Sequence, residues 1–282
     1  MKYRHSFHAG NFADVHKHVT LLALLTSLKR KDKGFAYLET HAGRGMYDLS
    51  GHPDDESAAG VGRLLATDTS ASSDELRAYS TLIAGIRKQR KNPRVYPGSP
   101  LIAAHELRAG DRAIFCEIIP PEAHALERAI EGHRNLRVEL GDGFERLRAW
   151  LPPAERRALI FIDPPYEQTR NDFDRVGVAI GDALKRFATG VIAIWYPIKE
   201  ERETASWLTS LASGIQRETI VSELWLYPRD SRVALNGSGM LIVNPPYLLA
   251  ERMAVWLPQL QARLAVGSSG GSSVRTLLQQ SA

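Results

Sequence analysis

The chain is poor in cysteine. Cys116 is the only one among 282 residues, which excludes an intrachain disulfide and any Cys-based zinc site. Long apolar runs are missing as well: nothing approaches the roughly 20 residues that cross a bilayer, so no membrane association is expected. The opening residues, Met1 to His8, lack the apolar core of a secretory leader, and a cytoplasmic protein is the expectation. Acids are scarce at the start. Residues 1–33 hold Lys2, Arg4, Lys17, Lys29, Arg30, Lys31 and Lys33 against Asp14 and Asp32. A second basic run, Arg87-Lys88-Gln89-Arg90-Lys91, is followed by Arg94. On a body of net charge +4, such clusters suit either a polyanion partner or solvated helix ends.

What is present is a regular alternation. Seven mostly apolar runs read as strands: Phe35–Thr40, Ala113–Ile118, Leu136–Leu140, Ala158–Asp163, Gly190–Tyr196, Thr219–Leu226 and Met240–Asn244. Helical patterns lie at Ala13–Lys31, Pro121–Glu131, Phe144–Trp150, Phe173–Phe187 and Lys199–Ser213. The alternation predicts an α/β fold with a largely parallel sheet. Between the first two strands lie roughly 70 residues, far more than a crossover needs. We therefore expect a small helical insertion over 47–94, inside a main domain of residues 1–46 and 95–266. It sits where such sheets place ligands. The Gly/Ser-rich run from Gly267 to Ser273 predicts a flexible tail over 267–282.

The segment richest in chemistry is Asp163-Pro164-Pro165-Tyr166, after an apolar strand. An aromatic amine is a weak nucleophile because its lone pair is delocalised. A carboxylate accepting one N–H localises that pair, and the Pro164 carbonyl can accept the other. The prolines stiffen the turn, and Tyr166 is placed to stack on a base. Three further strand ends carry candidate cofactor groups: Glu39-Thr40-His41-Ala42-Gly43, Cys116-Glu117 and Gly141-Asp142-Gly143-Phe144. Glu117 suits ribose hydroxyls, and Asp142 suits an adenine amine. Tyr96-Pro97-Gly98-Ser99-Pro100 reads as a turn opening a helix, with Ser99 near the N-cap. His5, His8, His16 and His18 crowd the N-terminal segment without zinc-site spacing, so no metal is expected.

A second turn, Asn244-Pro245-Pro246-Tyr247, also follows an apolar strand. If the seventh strand runs antiparallel beside the sixth, this turn falls at the edge away from the cofactor. Asp163 is then the catalytic acid.

Taken together, Tyr3-Arg4-His5-Ser6-Phe7-His8-Ala9-Gly10-Asn11, Lys17-His18, Thr40-His41-Ala42-Gly43, Tyr96–Pro100, Asp142-Gly143, Ile162–Tyr166, Ala193–Pro197 and Asn244-Pro245-Pro246 resemble the RlmJ family of bacterial 23S ribosomal RNA adenine-N6 methyltransferases. The resemblance runs from the start to residue 265, with Phe12 standing where the family would carry His. It implies a Rossmann-like class I methyltransferase fold, with a seven-stranded sheet and a helical insertion. It implies S-adenosylmethionine contacts at His18, His41, Ser99, Glu117, Asp142, Gly143 and Asp163, catalysis by Asp163, and an RNA contact at Tyr3. The expected partner is 23S ribosomal RNA, met by a monomer. A DNA adenine methyltransferase, a protein glutamine methyltransferase and a non-catalytic RNA-binding protein are the rival readings.

Overall fold

The structure is a computed structural model describing residues 8–50, 56–228, 231, 233 and 235–277. In chain order its main elements are α1 (Phe12–Lys29), β1 (Ala36–Glu39), β2 (Met46–Asp48), α2 (Arg63–Ala66), α3 (Asp74–Gln89), β3 (Val95–Pro97), α4 (Ser99–Glu106), β4 (Arg112–Glu117), α5 (Pro120–Ala129), β5 (Leu136–Leu140), α6 (Gly143–Trp150), β6 (Ala158–Ile162), α7 (Thr169–Arg186), β7 (Val191–Ile198), α8 (Glu201–Gly214), β8 (Thr219–Trp225), β9 (Gly237–Val243), α9 (Leu249–Leu264) and β10 (Gly271–Thr276).

The main sheet runs β10-β8-β9-β7-β6-β1-β4-β5. From β5 to β7 neighbouring strands are parallel. β9 is antiparallel to both β7 and β8, as expected of the seventh apolar run. The helices cover both faces. α1, α3, α4 and α9 bury Leu21, Ile83, Ile102 and Trp256 on one side, while α6, α7 and α8 bury Trp150, Val176 and Leu208 on the other. Sheets of this kind open a ligand crevice where crossovers diverge. Here that point lies at β1, between β4 and β6.

Three features depart from the sequence expectation. The sheet has an eighth strand, because the stretch expected to be mobile contains β10, paired antiparallel with β8 from Gly271↔Trp225 to Thr276↔Ile220. A Cβ on Gly271 would come within 2.4 Å of the Trp225 ring. Gly271 therefore provides clearance over an indole rather than mobility. Helix α9 was not anticipated, although Met253, Trp256, Leu257, Leu260 and Leu264 repeat at helical spacing and are all buried. Finally, the long connection after β1 forms a two-stranded ribbon, β2 with β3, enclosing α2 and α3. Among the described residues no helix is long and apolar enough to cross a membrane.

Candidate active site

Glu39, Glu117, Leu140 and Ile162 end four adjacent parallel strands along one edge. Asp163 follows the last of these and sits next to β1. Its Oδ2 accepts a hydrogen bond from Lys17 Nζ at 2.7 Å. The same ammonium reaches Asp14 Oδ1 at 2.8 Å and lies 5.6 Å from the centre of the Trp195 ring. Lys17 is 4% exposed, yet burial, which opposes its charge, is outweighed by the two carboxylates, and its pKa is raised. Asp14 is fixed in turn by the Gly10 N–H at 2.9 Å, and its own N–H donates to Asn11, the N-cap of α1. Among the described residues Asp163 Oδ1 has no partner, and the Pro164 carbonyl accepts no hydrogen bond. One carboxylate oxygen and one carbonyl are thus available to the two N–H groups of an amine.

Tyr166 corrects one expectation. Its ring is 1% exposed, packed edge-on to Phe173 (5.3 Å) and Trp195 (5.7 Å), and its hydroxyl donates to the Trp195 carbonyl at 2.7 Å. Where it lies, the ring offers no face to a base. It anchors the turn, whose backbone at Tyr166 has φ 49°, with its carbonyl held by Lys199 Nζ at 3.2 Å.

The cofactor candidates divide into two groups. Glu117 and Asp142 gather at the β4 and β5 ends. Glu117 accepts the Gly43 and Ile119 N–H groups, each at 2.8 Å, and burial pushes its pKa up. Asp142 caps α6 through the Phe144 N–H, and its other oxygen holds Arg175 at 2.6 Å. Burial works against its charge, but Arg175 and the backbone donors keep the carboxyl below its usual range. The Arg175 guanidinium also lies over Phe144 at 4.5 Å, and His41 meets that ring edge-on at 4.7 Å. Burial lowers His41 to about 4, leaving it neutral at pH 7. Gly143 touches β1: a Cβ there would fall 1.9 Å from the Thr40 carbonyl oxygen, so no other residue fits.

His18 and Ser99 lie deeper. His18 is 1% exposed, with Nδ1 on the Tyr96 hydroxyl at 2.7 Å. Ser99 is not the N-cap of α4. Gly98 holds that position, and the Ser99 hydroxyl donates to Glu39 at 2.5 Å. Glu39 also accepts from Tyr37, and burial pushes its carboxyl up to about 8 despite both donors. Tyr3 lies outside the described residues.

Sequence reasoning assigned no role to Lys17 or Arg175. Lys17 lies in the Lys17-His18 pair, but its 146-residue separation from Asp163 hides the pairing. The cradle fits a nucleoside with a charged tail: a buried acid, backbone amides, a Cβ-free contact at Gly143, and exposed apolar Ile118 and Leu140 at neighbouring strand ends. Among the described residues no three His, Cys, Asp or Glu side chains are grouped to hold a metal.

At the opposite edge, β9 ends against the starts of β7 and β8. Asn244 there donates to the Ala188 and Gly190 carbonyls, and Tyr247 is 81% exposed. This turn is far from the site.

Comparison with known proteins agrees with this geometry. Residues 32–277 match the family model described as ribosomal RNA large subunit methyltransferase D, RlmJ. The chain is 40% identical to proteins named ribosomal RNA large subunit methyltransferase J from Haemophilus influenzae and Escherichia coli, over 97% of its length and 98% of theirs. A crystal structure of a Legionella pneumophila protein superposes with a TM-score of 0.87 at 35% identity, covering 95% of this chain and 98% of that one. The chain belongs to the RlmJ family.

Proposed function

We propose that this protein methylates the N6 amine of an adenine in 23S ribosomal RNA, with Asp163 as the acceptor that activates the amine. The observation that carries the reading is Asp163 itself: clamped through Oδ2 by Lys17, open at Oδ1, and beside an unengaged Pro164 carbonyl. When bound, S-adenosylmethionine supplies an electrophilic methyl group. Glu117, Asp142, Gly143 and His41 would hold it at the strand edge, with Ser99 and His18 shaping the wall behind Glu39 and Tyr96.

The chain's own part is positional and electrostatic. Asp163 Oδ1 and the Pro164 carbonyl accept the two amine N–H groups, which turns the lone pair away from the ring and stabilises the positive charge that develops on nitrogen. Lys17 fixes the rotamer of the Asp163 side chain through its hydrogen bond to Oδ2, at a site dry enough for that pairing to be strong. The target base must leave its stack to reach this turn. Tyr166 holds the turn through Trp195 rather than by stacking. No metal is called on by this chemistry.

A monomer is taken as the working unit, with Tyr3 the RNA contact implied by the family. Residues 47–94 are read as an inserted unit beside the substrate path. A cytoplasmic setting accords with a ribosomal RNA substrate. The test is methyl transfer to transcribed 23S RNA against duplex DNA, with mass-spectrometric mapping of the product. Transfer to one adenine of the RNA supports the reading, whereas transfer to DNA alone overturns it.

A further inference from the structure

No Asp or Glu occurs between Glu75 and Glu106, a span carrying six cations: Arg77, Arg87, Lys88, Arg90, Lys91 and Arg94. Several cations of this chain are paired with carboxylates, as in Arg44–Glu122, Arg112–Glu155 and Arg148–Asp182. At the end of α3 they are not. Lys88, Lys91 and Arg94 are exposed and form no ion pair among the described residues. Arg87 and Arg90 spend hydrogen bonds on neutral carbonyls, of Val95 at 3.0 Å and Ala129 at 2.7 Å, so their charge is not cancelled. The acid across the ribbon, Asp48, is hydrogen-bonded to Ser50 and Asn92 and acts on Arg94 only at a distance, without forming an ion pair with it.

The turn carrying these charges is built. Lys91 adopts φ 51°, the Asn92 N–H closes onto the Arg87 carbonyl at 3.2 Å, and the Arg94 N–H donates to the Asn92 side chain at 2.9 Å. Two arginines pin it, one to β3 and one to the end of α5. Charges carried on such a frame lose little backbone freedom when they meet a ligand. From Arg94 the chain runs five residues through β3 to Ser99, so the two lie within roughly 18 Å. Ser99 is hydrogen-bonded to Glu39 at the end of β1, the strand beside Asp163, and at about 3.4 Å per nucleotide the span from Arg94 to Ser99 is that of roughly five phosphates. The other unpaired run, Arg30–Lys33, includes Asp32 and leads into the start of β1, the edge away from the site.

We propose that the turn formed by Arg87–Arg94 is a docking surface for the phosphate backbone of the RNA that flanks the target adenine, with Lys88, Lys91 and Arg94 as the phosphate contacts. The proposal rests on an RNA substrate, as inferred above. It makes no demand on base identity, because a mobile ammonium on phosphate reads charge and spacing only.

The test compares three full-length proteins: wild type, Lys88→Gln/Lys91→Gln/Arg94→Gln, and Arg30→Gln/Lys31→Gln/Lys33→Gln. The two variants remove equal charge from different edges. Binding of transcribed 23S RNA is measured against salt, alongside S-adenosylmethionine titration and thermal melting as checks on the fold. The turn variant is expected to bind RNA at least roughly tenfold more weakly near physiological salt. The slope of log K against log salt should drop by roughly 2–3, near one per contact, and single Lys→Gln variants should each give a third of that. Turnover at saturating RNA should stay near wild type. Wild-type RNA affinity in the turn variant overturns the proposal, as does equal weakening in both triple variants. Failure of the wild type to methylate an RNA that it binds would instead count against the functional reading, since the binding comparison does not depend on turnover.

Discussion

Two turns of this protein carry the same Pro-Pro-Tyr triplet after an apolar strand, and they lie in different surroundings. At residues 163–166 the polar residue is an acid that ends a parallel strand beside β1, salt-bridged to a buried lysine, and the tyrosine is 1% exposed. At residues 244–247 it is an amide that ends an antiparallel strand, satisfied by two backbone carbonyls, and the tyrosine is 81% exposed. The difference lies in strand direction. Because β9 runs against β7, its end falls at the edge where the parallel strands begin, whereas the ligand crevice opens where they finish. A motif is a site only on the strand that delivers it there.

The largest test of this contrast is Asp163→Ala, which should lower methyl transfer by roughly a hundred- to ten-thousandfold at saturating substrates while the protein stays folded, since Asp14 still pairs Lys17. Asn244→Ala should leave turnover within about threefold and lower stability by about 1–3 kcal/mol, read by denaturant unfolding, because two carbonyls lose their donor. If Asn244→Ala abolishes turnover in a folded protein and Asp163→Ala does not, the assignment of the two turns is reversed.

Lys17→Met sharpens what the first turn has and the second lacks. It strands two carboxylates in a nearly dry site and should cost about 3–5 kcal/mol, visible as a lower urea midpoint together with lost activity. A folded variant of unchanged stability would show that the buried cluster is not held as described. The tyrosines separate the turns more gently. Tyr166→Phe, which loses only the bond to the Trp195 carbonyl, should slow turnover by a few-fold, whereas Tyr247→Ala at its exposed position should change neither turnover nor melting.

A pH dependence found at the site edge is read on stability rather than on turnover. In the unfolded chain Glu39 releases its proton near the ordinary 4.5, while the folded chain keeps it up to about 8. Between those values the native state binds the extra proton, so this group makes stability fall as pH rises. Glu39→Gln should flatten that decline between pH 5 and 8 in chemical unfolding. An unchanged profile would mean that Glu39 is ionised in the fold.

Most of the fold was readable because each central strand is a short apolar run, as covering on both faces demands. Two elements escaped for different reasons. The residues of α9 carry a legible helical spacing that was not used. Strand β10 was hidden by composition: its glycines look like a linker, and only the position of Trp225 shows that Gly271 makes room. In the site, Glu117, Asp142, Gly143 and Asp163 were legible because strand ends are predictable places. Ser99 was expected near the N-cap of α4, but Gly98 holds that position and the partner of Ser99 is Glu39, 60 residues away. The orientation of Tyr166 depends on Phe173 and Trp195, to which no local pattern points.

The sequence by itself determined the kind of chemistry. An acid, two prolines and an aromatic after a buried strand make a stiff turn with acceptors for an amine, and that follows from residue types and short-range sterics. Only the tertiary structure decided which of two such turns lies at the crevice, and what holds it there. Strand direction places Asp163 at the crevice, and a lysine 146 residues away is folded against it, because a carboxylate taken this far out of water needs a partner that chain neighbours do not supply.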